Sequence, residues 1–421
     1  MKQLLYKTIK ELEDSQDIQI IDGDRGKNYP KKEEFKSTGF CVFLNASNIK
    51  DDSFVFENID FISEEKDNML RKGKLSRKDI VITTRGTVGL AAYYGDNILY
   101  DNMRINSGMI IIRVNSNVIN PNYFYQLLKS KSLKKQYQLF ASGCAQPQLP
   151  IQDFRLINIP IFSKTHQDKI AKVLSNYDDL IENNNKRIKI LEEMAQKIYK
   201  EWFVDFKFPG HETATFKQTE LGKIPLDWEV KQIGKEYKTY LGGTPSRNEE
   251  KYWNGNIPWL NSGKTNELRI IKASEYITEL GLEKSSTKLM PQYTTVLAIT
   301  GATLGQVSML GSEMCANQSV VGIYSDTNPE YVFYLMKDKI QKLVQNASGG
   351  AQQHINKDIV NEMKFVLPAD TILDDFKNSI CPINKEIFNL LYKNRALKQT
   401  RDLLLPRLIS GGIDVENLEI V

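Results

Sequence analysis

The chain repeats itself. Phe43-Leu-Asn-Ala-Ser47 returns as Trp259-Leu-Asn-Ser-Gly263, and Thr84-Arg-Gly-Thr-Val-Gly89 returns as Thr300-Gly-Ala-Thr-Leu-Gly305, both 216 residues on. Asn120-Pro-Asn-Tyr123 comes back as Asn328-Pro-Glu-Tyr331 after 208 residues, and Ala141-Ser-Gly-Cys-Ala-Gln146 as Ala347-Ser-Gly-Gly-Ala-Gln352 after 206. The order is kept and the offset drifts slowly, as short loop deletions would make it. Half of 421 residues is about 210, so the chain is two head-to-tail copies of one unit.

Each copy divides in two. The first part, residues 1–162 and 206–367, carries short apolar runs broken by Gly, Asn, Pro and Ser. Asp79–Thr84, Thr295–Thr300, Met109–Val114 and Ser319–Tyr324 read as strands, and Tyr123–Leu139 and Tyr331–Val344 as helices. The fold class expected is α+β: two strand-rich domains separated by long helices. The second part, residues 163–205 and 368–421, is helical. In the first copy Ile170, Leu174, Tyr177, Ile181, Asn184, Ile188, Leu191, Ala195, Ile198 and Trp202 are spaced alternately by four and three. In the second, Phe376, Ile380, Ile383, Ile387, Leu390, Asn394, Leu397, Arg401 and Leu404 do the same. A period of 3.5 residues over more than four heptads is a coiled-coil seam. Thr165-x-x-Asp168 and Thr371-x-x-Asp374 predict capping boxes at the helix starts, and Pro406 predicts the end of the second helix. Asn184 and Asn394 either fix the register of the pair or sit at wet positions of the seam.

Paired antiparallel, two such helices give a pseudo-two-fold molecule. About 36 helical residues span roughly 54 Å at 1.5 Å per residue, between one and two DNA turns of about 34 Å. That spacing suits a split target, two unequal half-sites around an unread spacer.

Composition removes other classes. An apolar fraction of 41% with 10% aromatics is enough for real cores. No run of eighteen apolar residues predicts a transmembrane helix, and the opening residues predict no signal peptide. Cys41, Cys144, Cys315 and Cys381 form no CxxC, and His166, His211 and His354 stand apart, so a zinc site is not expected and a cytoplasmic location is. The chain has no GxxxxGK[ST], no strand-following GxGxxG and no HExxH. Asn120-Pro-Asn-Tyr123 is superficially like the Asn-Pro-Pro-Tyr motif of adenine methyltransferases, but Asn-Pro is also an ordinary helix start. Asp24, Asp51 and Asp52 read as solvated loop residues rather than a metal cluster.

Several long strings resemble the specificity subunit of type I restriction-modification systems. They are Leu397–Val415, Leu191–Phe206, Leu221–Val230, and Gly243-Thr-Pro-Ser246 followed by Tyr252-Trp253 and Ile257-Pro-Trp259. The first 60 residues match less well: Asp22–Pro30 has no Gly-Thr-Pro-Ser. The resemblance implies two target-recognition domains, each reading one half-site of double-stranded DNA, and two helical regions that pair antiparallel and set the spacer. It also implies docking of two methyltransferase subunits, which carry S-adenosylmethionine, and of restriction subunits, which use ATP and Mg. The chain itself then holds no cofactor and no catalytic or metal residue. Two other readings stand beside this one: a self-contained methyltransferase or nuclease, and a coiled-coil scaffold with no DNA role.

Base reading needs polar side chains on rigid loops, and phosphate positioning needs cations. In the first domain the candidates are Arg25, Lys27, Lys31 and Lys32 in a basic loop around Tyr29, then Arg85 in a glycine turn, and Arg104. In the second they are Thr244, Ser246, Arg247 and Asn248 after two glycines, Lys264, Asn317 and Gln318. Gln146 and Gln352 share a turn in both copies and are either scaffold or a shared DNA contact. Residues common to both copies should position DNA, and those that differ, such as Arg85 against Gly301, should read sequence. The net charge of +4 is modest, so the isolated chain is expected to bind DNA non-specifically only at micromolar levels or weaker.

Overall fold

A computed structural model describes residues 5–143, 147–346 and 355–415. It divides into two compact units, one made of Met1–Ile181 with Ala396–Val421, the other of Glu182–Arg395.

In the first unit a four-stranded antiparallel sheet runs in the order Ile18–Asp22, Met109–Val114, Ile80–Thr83, Ala91–Tyr93. Its central strands are buried on both faces over Ile80–Thr83 and Met109–Ile112, which explains the apolar runs there. Alternation sends Ile80, Ile82, Ile110 and Ile112 to a core shared with helices, and Val81, Met109 and Ile111 to a second core. That second core also holds Val42, Leu44, Met103 and Ile105, from a three-stranded sheet ordered Asp60–Ile62, Cys41–Leu44, Met103–Ile105. The last two of those strands are parallel.

The second unit repeats the plan. Its main sheet is ordered Lys238–Leu241, Val320–Tyr324, Thr295–Ala298, Val307–Leu310, with Arg269–Ile270 added at the edge. Its three-stranded sheet is Glu275–Ile277, Trp253–Leu260, Cys315–Ala316, again with the last pair parallel. Leu297, Val321 and Ile323 face one core and Val296 and Val320 the other. In each unit a two-stranded antiparallel sheet, Leu5–Thr8 with Asn158–Ile161 or Glu229–Gln232 with Lys364–Leu367, precedes a long helix.

The long helices are Lys164–Tyr199, continued by a π-helical turn over Lys200–Val204, and Asp370–Ile409. Each unit holds a stretch of both. In the second unit Asn184 faces Asn394 at 2.8 Å, Arg187 meets Glu386 at 2.8 Å, and Tyr199 lies against Phe376. Rising numbers on one helix meet falling numbers on the other, so the pair is antiparallel. In the first unit Ile170 and Leu174 share a core with Leu405, Leu408 and Ile409, and Asp178 pairs with Arg401. Among the seam residues, Ile170, Leu174, Ile181, Asn184, Phe376, Ile380, Ile387, Leu390 and Asn394 are buried. Tyr177, Ile188, Leu191, Ile198, Ile383, Leu397 and Leu404 are half-buried. No helix among the described residues is long and apolar enough to cross a membrane.

Three local expectations are corrected. The capping boxes do not form. Thr165 and Thr371 lie inside helices that start at Lys164 and Asp370, and the Asp168 carboxylate is bound to Lys164 and to Asn120 Nδ2. The second helix runs through Pro406 to Ile409 and stops before Gly411, whose φ is +73°. Pro406 forgoes only its own bond to the Asp402 carbonyl, and the chain still turns on, the Pro406 carbonyl accepting the Ser410 N–H at 3.1 Å. Tyr123–Leu139 is two helices, Pro121–Leu128 and Lys131–Phe140, because Ser130 caps the second by accepting the Leu133 N–H.

Candidate nucleic-acid interface

Both units gather their loops at one end of the main sheet through the same close backbone contact. A Cβ on Gly23 would lie 2.2 Å from the Asn106 carbonyl oxygen, and one on Gly242 would lie 2.0 Å from that of Asn317. Only glycine fits either place. Asn106 and Asn317 are equivalent in their bonds: each donates its N–H to the leucine carbonyl of the repeated Leu-Asn, Leu44 or Leu260, at 2.9 Å. Each side-chain Oδ1 also accepts an N–H two residues on, from Gly108 at 2.9 Å or Ser319 at 3.2 Å. Asn317 is among the residues expected from the sequence and Asn106 is not. The signal was present, since Met103 and Asn106 recur as Met314 and Asn317 at one offset of 211.

In the first unit this end brings Arg25 and Arg85 together. Arg25 is exposed and donates to the Ser107 carbonyl at 3.3 Å, with Asp22 beside it. Arg85 is exposed, and its backbone N–H is held by the Gly108 carbonyl at 3.2 Å. The next residue, Gly86, has φ +74°. Lys27, Lys31 and Lys32 are exposed. Arg104 is not available to DNA, which corrects its place among the candidates. It is 4% exposed, its Nε pairs with buried Asp67, and its Nη atoms donate to the Asp67, Leu70 and Lys72 carbonyls. A parallel strand pair turns this arginine inward, where the carboxylate and carbonyls compensate its charge.

In the second unit Thr244 Oγ1 donates to Gln318 Oε1 at 2.6 Å, so the glycine loop and the Asn317–Gln318 turn meet. Ser246 and Asn248 are exposed. Arg247 is exposed but engaged. Both its Nη atoms bind Glu275 at 2.7 Å, and its guanidinium lies 3.7 Å over the Trp253 ring. The Glu275 hydrogen bond raises the Arg247 pKa and the same bond lowers that of Glu275, so the pair stays ionised. Lys264 is half-buried and pairs with Glu267 at 2.5 Å. Gln146 and Gln352 lie outside the described residues.

The residues weighed for chemistry have structural places. Asn120 caps a helix by accepting the Tyr123 N–H at 3.1 Å. Asp51 is exposed, as a solvated loop residue should be, whereas buried Asp24 accepts backbone N–H groups and half-buried Asp52 takes the Ala91 N–H at 3.0 Å and Lys134 Nζ at 2.6 Å. Burial, with Asp67 nearby, pushes the Cys41 thiol up to about 12, and burial lifts Cys315 to about 11, so neither is a thiolate at neutral pH. Among the described residues no group of three or more His, Cys, Asp or Glu is placed to hold a metal ion.

Two mixed α+β units with matching topology, each presenting polar loops at one sheet end and each joined to paired helices, define a repeated recognition protein. Residues 9–193 and 225–393 match the model of the type I restriction modification DNA specificity domain, and the chain belongs to that family. It is similar to the type I restriction enzyme MjaIX specificity subunit of Methanocaldococcus jannaschii, 28% identical over 344 residues, which covers 80% of this chain and 78% of that one. It is also similar to the HindI specificity subunit of Haemophilus influenzae, 24% identical, with 93% and 98% covered. Among solved structures, the type I restriction-modification S subunit from M. genitalium superposes with a TM-score of 0.55 at 14% identity, covering 97% and 96%. That likeness is one of fold. The chain is thus a type I specificity subunit, a DNA-sequence-recognition protein of a non-catalytic class.

Proposed function

We propose that this chain reads a bipartite, asymmetric DNA site, one half through each strand-rich domain (residues 1–162 and 206–367), with the helix pair setting the unread spacer. One observation carries the reading: an identical backbone contact, Gly23 on Asn106 and Gly242 on Asn317, supports loops whose side chains differ. Arg25 and Arg85 stand on one scaffold; Thr244, Gln318 and Gly301 stand on the other. One frame with two sets of donors suits two different half-sites.

Docking of two methyltransferase subunits and of restriction subunits belongs to the same proposal. Leu180, Ile190, Met194 and Leu403, on the long helices, are 51%, 56%, 48% and 72% exposed, which favours a protein partner over solvent. The partners would carry S-adenosylmethionine for adenine methylation, and ATP with Mg for restriction, in the cytoplasm where the chromosome lies. This chain would supply address and assembly.

The test is to sequence native DNA by a method that reports N6-methyladenine, with and without the gene. The expected result is a split motif methylated only when the gene is present. Replacing one strand-rich domain should then change one half of it. A motif that persists without the gene, or changes in both halves, defeats the reading.

A further inference from the structure

The loop that follows Gly23 is built around a buried carboxylate. Asp24 is 4% exposed; its Oδ1 accepts the Gly26 N–H at 2.6 Å and its Oδ2 the Arg71 N–H at 2.7 Å. Two segments distant in sequence are tied at one point. Burial by itself would raise the Asp24 pKa, but the N–H groups of Gly26, Arg71 and Lys72 outweigh it and hold the carboxyl below its usual range. The tie is therefore ionised at neutral pH, and the charge of the Arg71 guanidinium adds to its stabilisation.

Above it lies a cleft of about 190 Å³ lined by Asp24, Gly26, Lys27, Asn28 and Arg71. The cleft stays open because residue 26 has no side chain: a Cβ there would lie 2.7 Å from Arg71 Nη2. The Asn28 amide is already spent on the Met69 carbonyl at 3.2 Å. Lys27 and Arg71 are exposed, and neither forms an ion pair among the described residues. Neighbouring charges are engaged elsewhere: Arg25 with Asp22, Lys66 with Glu34. Two cationic residues, Lys27 and Arg71, thus line one cleft beside a carboxylate whose oxygens accept backbone N–H groups.

The second unit builds the equivalent place from other residues. Leu75 donates to the Met103 carbonyl as Met290 does to that of Met314, which aligns Arg71 with Ser286. Gly242 is the counterpart of Gly23, so Asp24 corresponds to Gly243, where a Cβ would lie 2.3 Å from Ser286 Oγ. A glycine stands in place of the carboxylate and a serine in place of the arginine, and the two pack directly on each other.

We propose that Lys27 and Arg71 grip one backbone phosphodiester of the duplex at the first half-site, with Asp24 as the positioning residue that joins their two loops. A guanidinium matches two phosphate oxygens in its plane, and a lysine adds a point charge. The inference rests on the recognition reading above and adds Arg71, Asp24 and a sequence-independent role for Lys27.

The experiment uses the full chain assembled with its methyltransferase subunits. Fluorescence anisotropy is measured on a duplex bearing the methylated motif and on one with the first half scrambled, from 50 to 300 mM potassium chloride. The double variant K27A/R71A should lower the slope of log affinity against log salt by about 0.9, one phosphate's worth. It should weaken both duplexes by the same factor. G26A should do likewise with no charge removed, because the new Cβ displaces the guanidinium. An unchanged salt slope overturns the phosphate grip, as does a loss confined to the duplex with the intact half-site. Failure of the wild-type assembly to prefer its motif is a different result and overturns the recognition reading instead.

Discussion

Arg104 and Arg85 look alike in the sequence, each a lone arginine in the first domain, yet their fates are opposite. Arg104 lies within a strand and is compensated by Asp67, 37 residues earlier, whereas Arg85 sits in a turn beside a positive-φ glycine and reaches solvent. R104A should leave buried Asp67 with Lys74 as its remaining cationic partner and cost about 1–3 kcal/mol of stability. Denaturant unfolding would measure that, and the methylated motif should not change at temperatures where the variant is folded. R85A should leave the unfolding midpoint in place and alter methylation of one half-site. Asp178 makes the same point with a pH dependence. Burial would raise its pKa, but Lys129 and Arg401 outweigh burial and hold it below the usual range. Its contribution to stability is full above the unfolded value of about 3.9 and is lost as pH falls through the lower folded value. Thermal unfolding of wild type and D178N should therefore converge as pH is lowered below about 4. None of these pairings is visible along the chain, because each joins residues far apart in sequence.

At the scale of elements, the period of 3.5 residues located both long helices, and apolar runs located the buried strands. A pattern of this length reflects a whole face, so it survives local exceptions such as Pro382 and Pro406 inside one helix. Helix ends were less legible. Thr165 and Thr371 had the spacing of caps, but the real starts are set by where the preceding two-stranded sheets finish. The polar seam is the sharpest element-level test. Asn184 Nδ2 donates to Asn394 Oδ1, and Asn394 Nδ2 donates to Asn185 Oδ1, both at 2.8 Å. N394A strands the buried Asn184 amide, while exposed Asn185 turns to water, and should cost about 1–3 kcal/mol. The double change N184L/N394L removes both buried polar groups together and should be neutral or stabilising by denaturant midpoint. If the asparagines set register, that same double variant should methylate targets whose spacer is changed by one base pair.

At the scale of the whole molecule, the compact units do not coincide with the sequence repeats. The first unit is completed by the end of the chain: Leu405, Leu408, Ile409 and Val415 lie in the core of Ile9, Ile80 and Ile112. Residues 182–395 contain all of the second unit's large aromatic core, including Tyr199, Phe203, Trp228 and Phe376. A fragment of residues 182–395 should therefore melt cooperatively by circular dichroism. A fragment of residues 1–181 should not, unless residues 396–421 are supplied. Equal behaviour of the two fragments would contradict this division.

The sequence by itself determined the repeat, the α+β class, the helix seam and the family, because these are written in local spacing and in long strings. Tertiary structure alone decided which polar residues are free. Lys27, Arg71 and Arg85 reach solvent with no ion pair among the described residues, while Arg104 is buried, Arg25 is paired with Asp22 and Arg247 is held by Glu275. The reason is physical: whether a charge meets water or a partner depends on what folds against it, and those partners come from elsewhere in the chain.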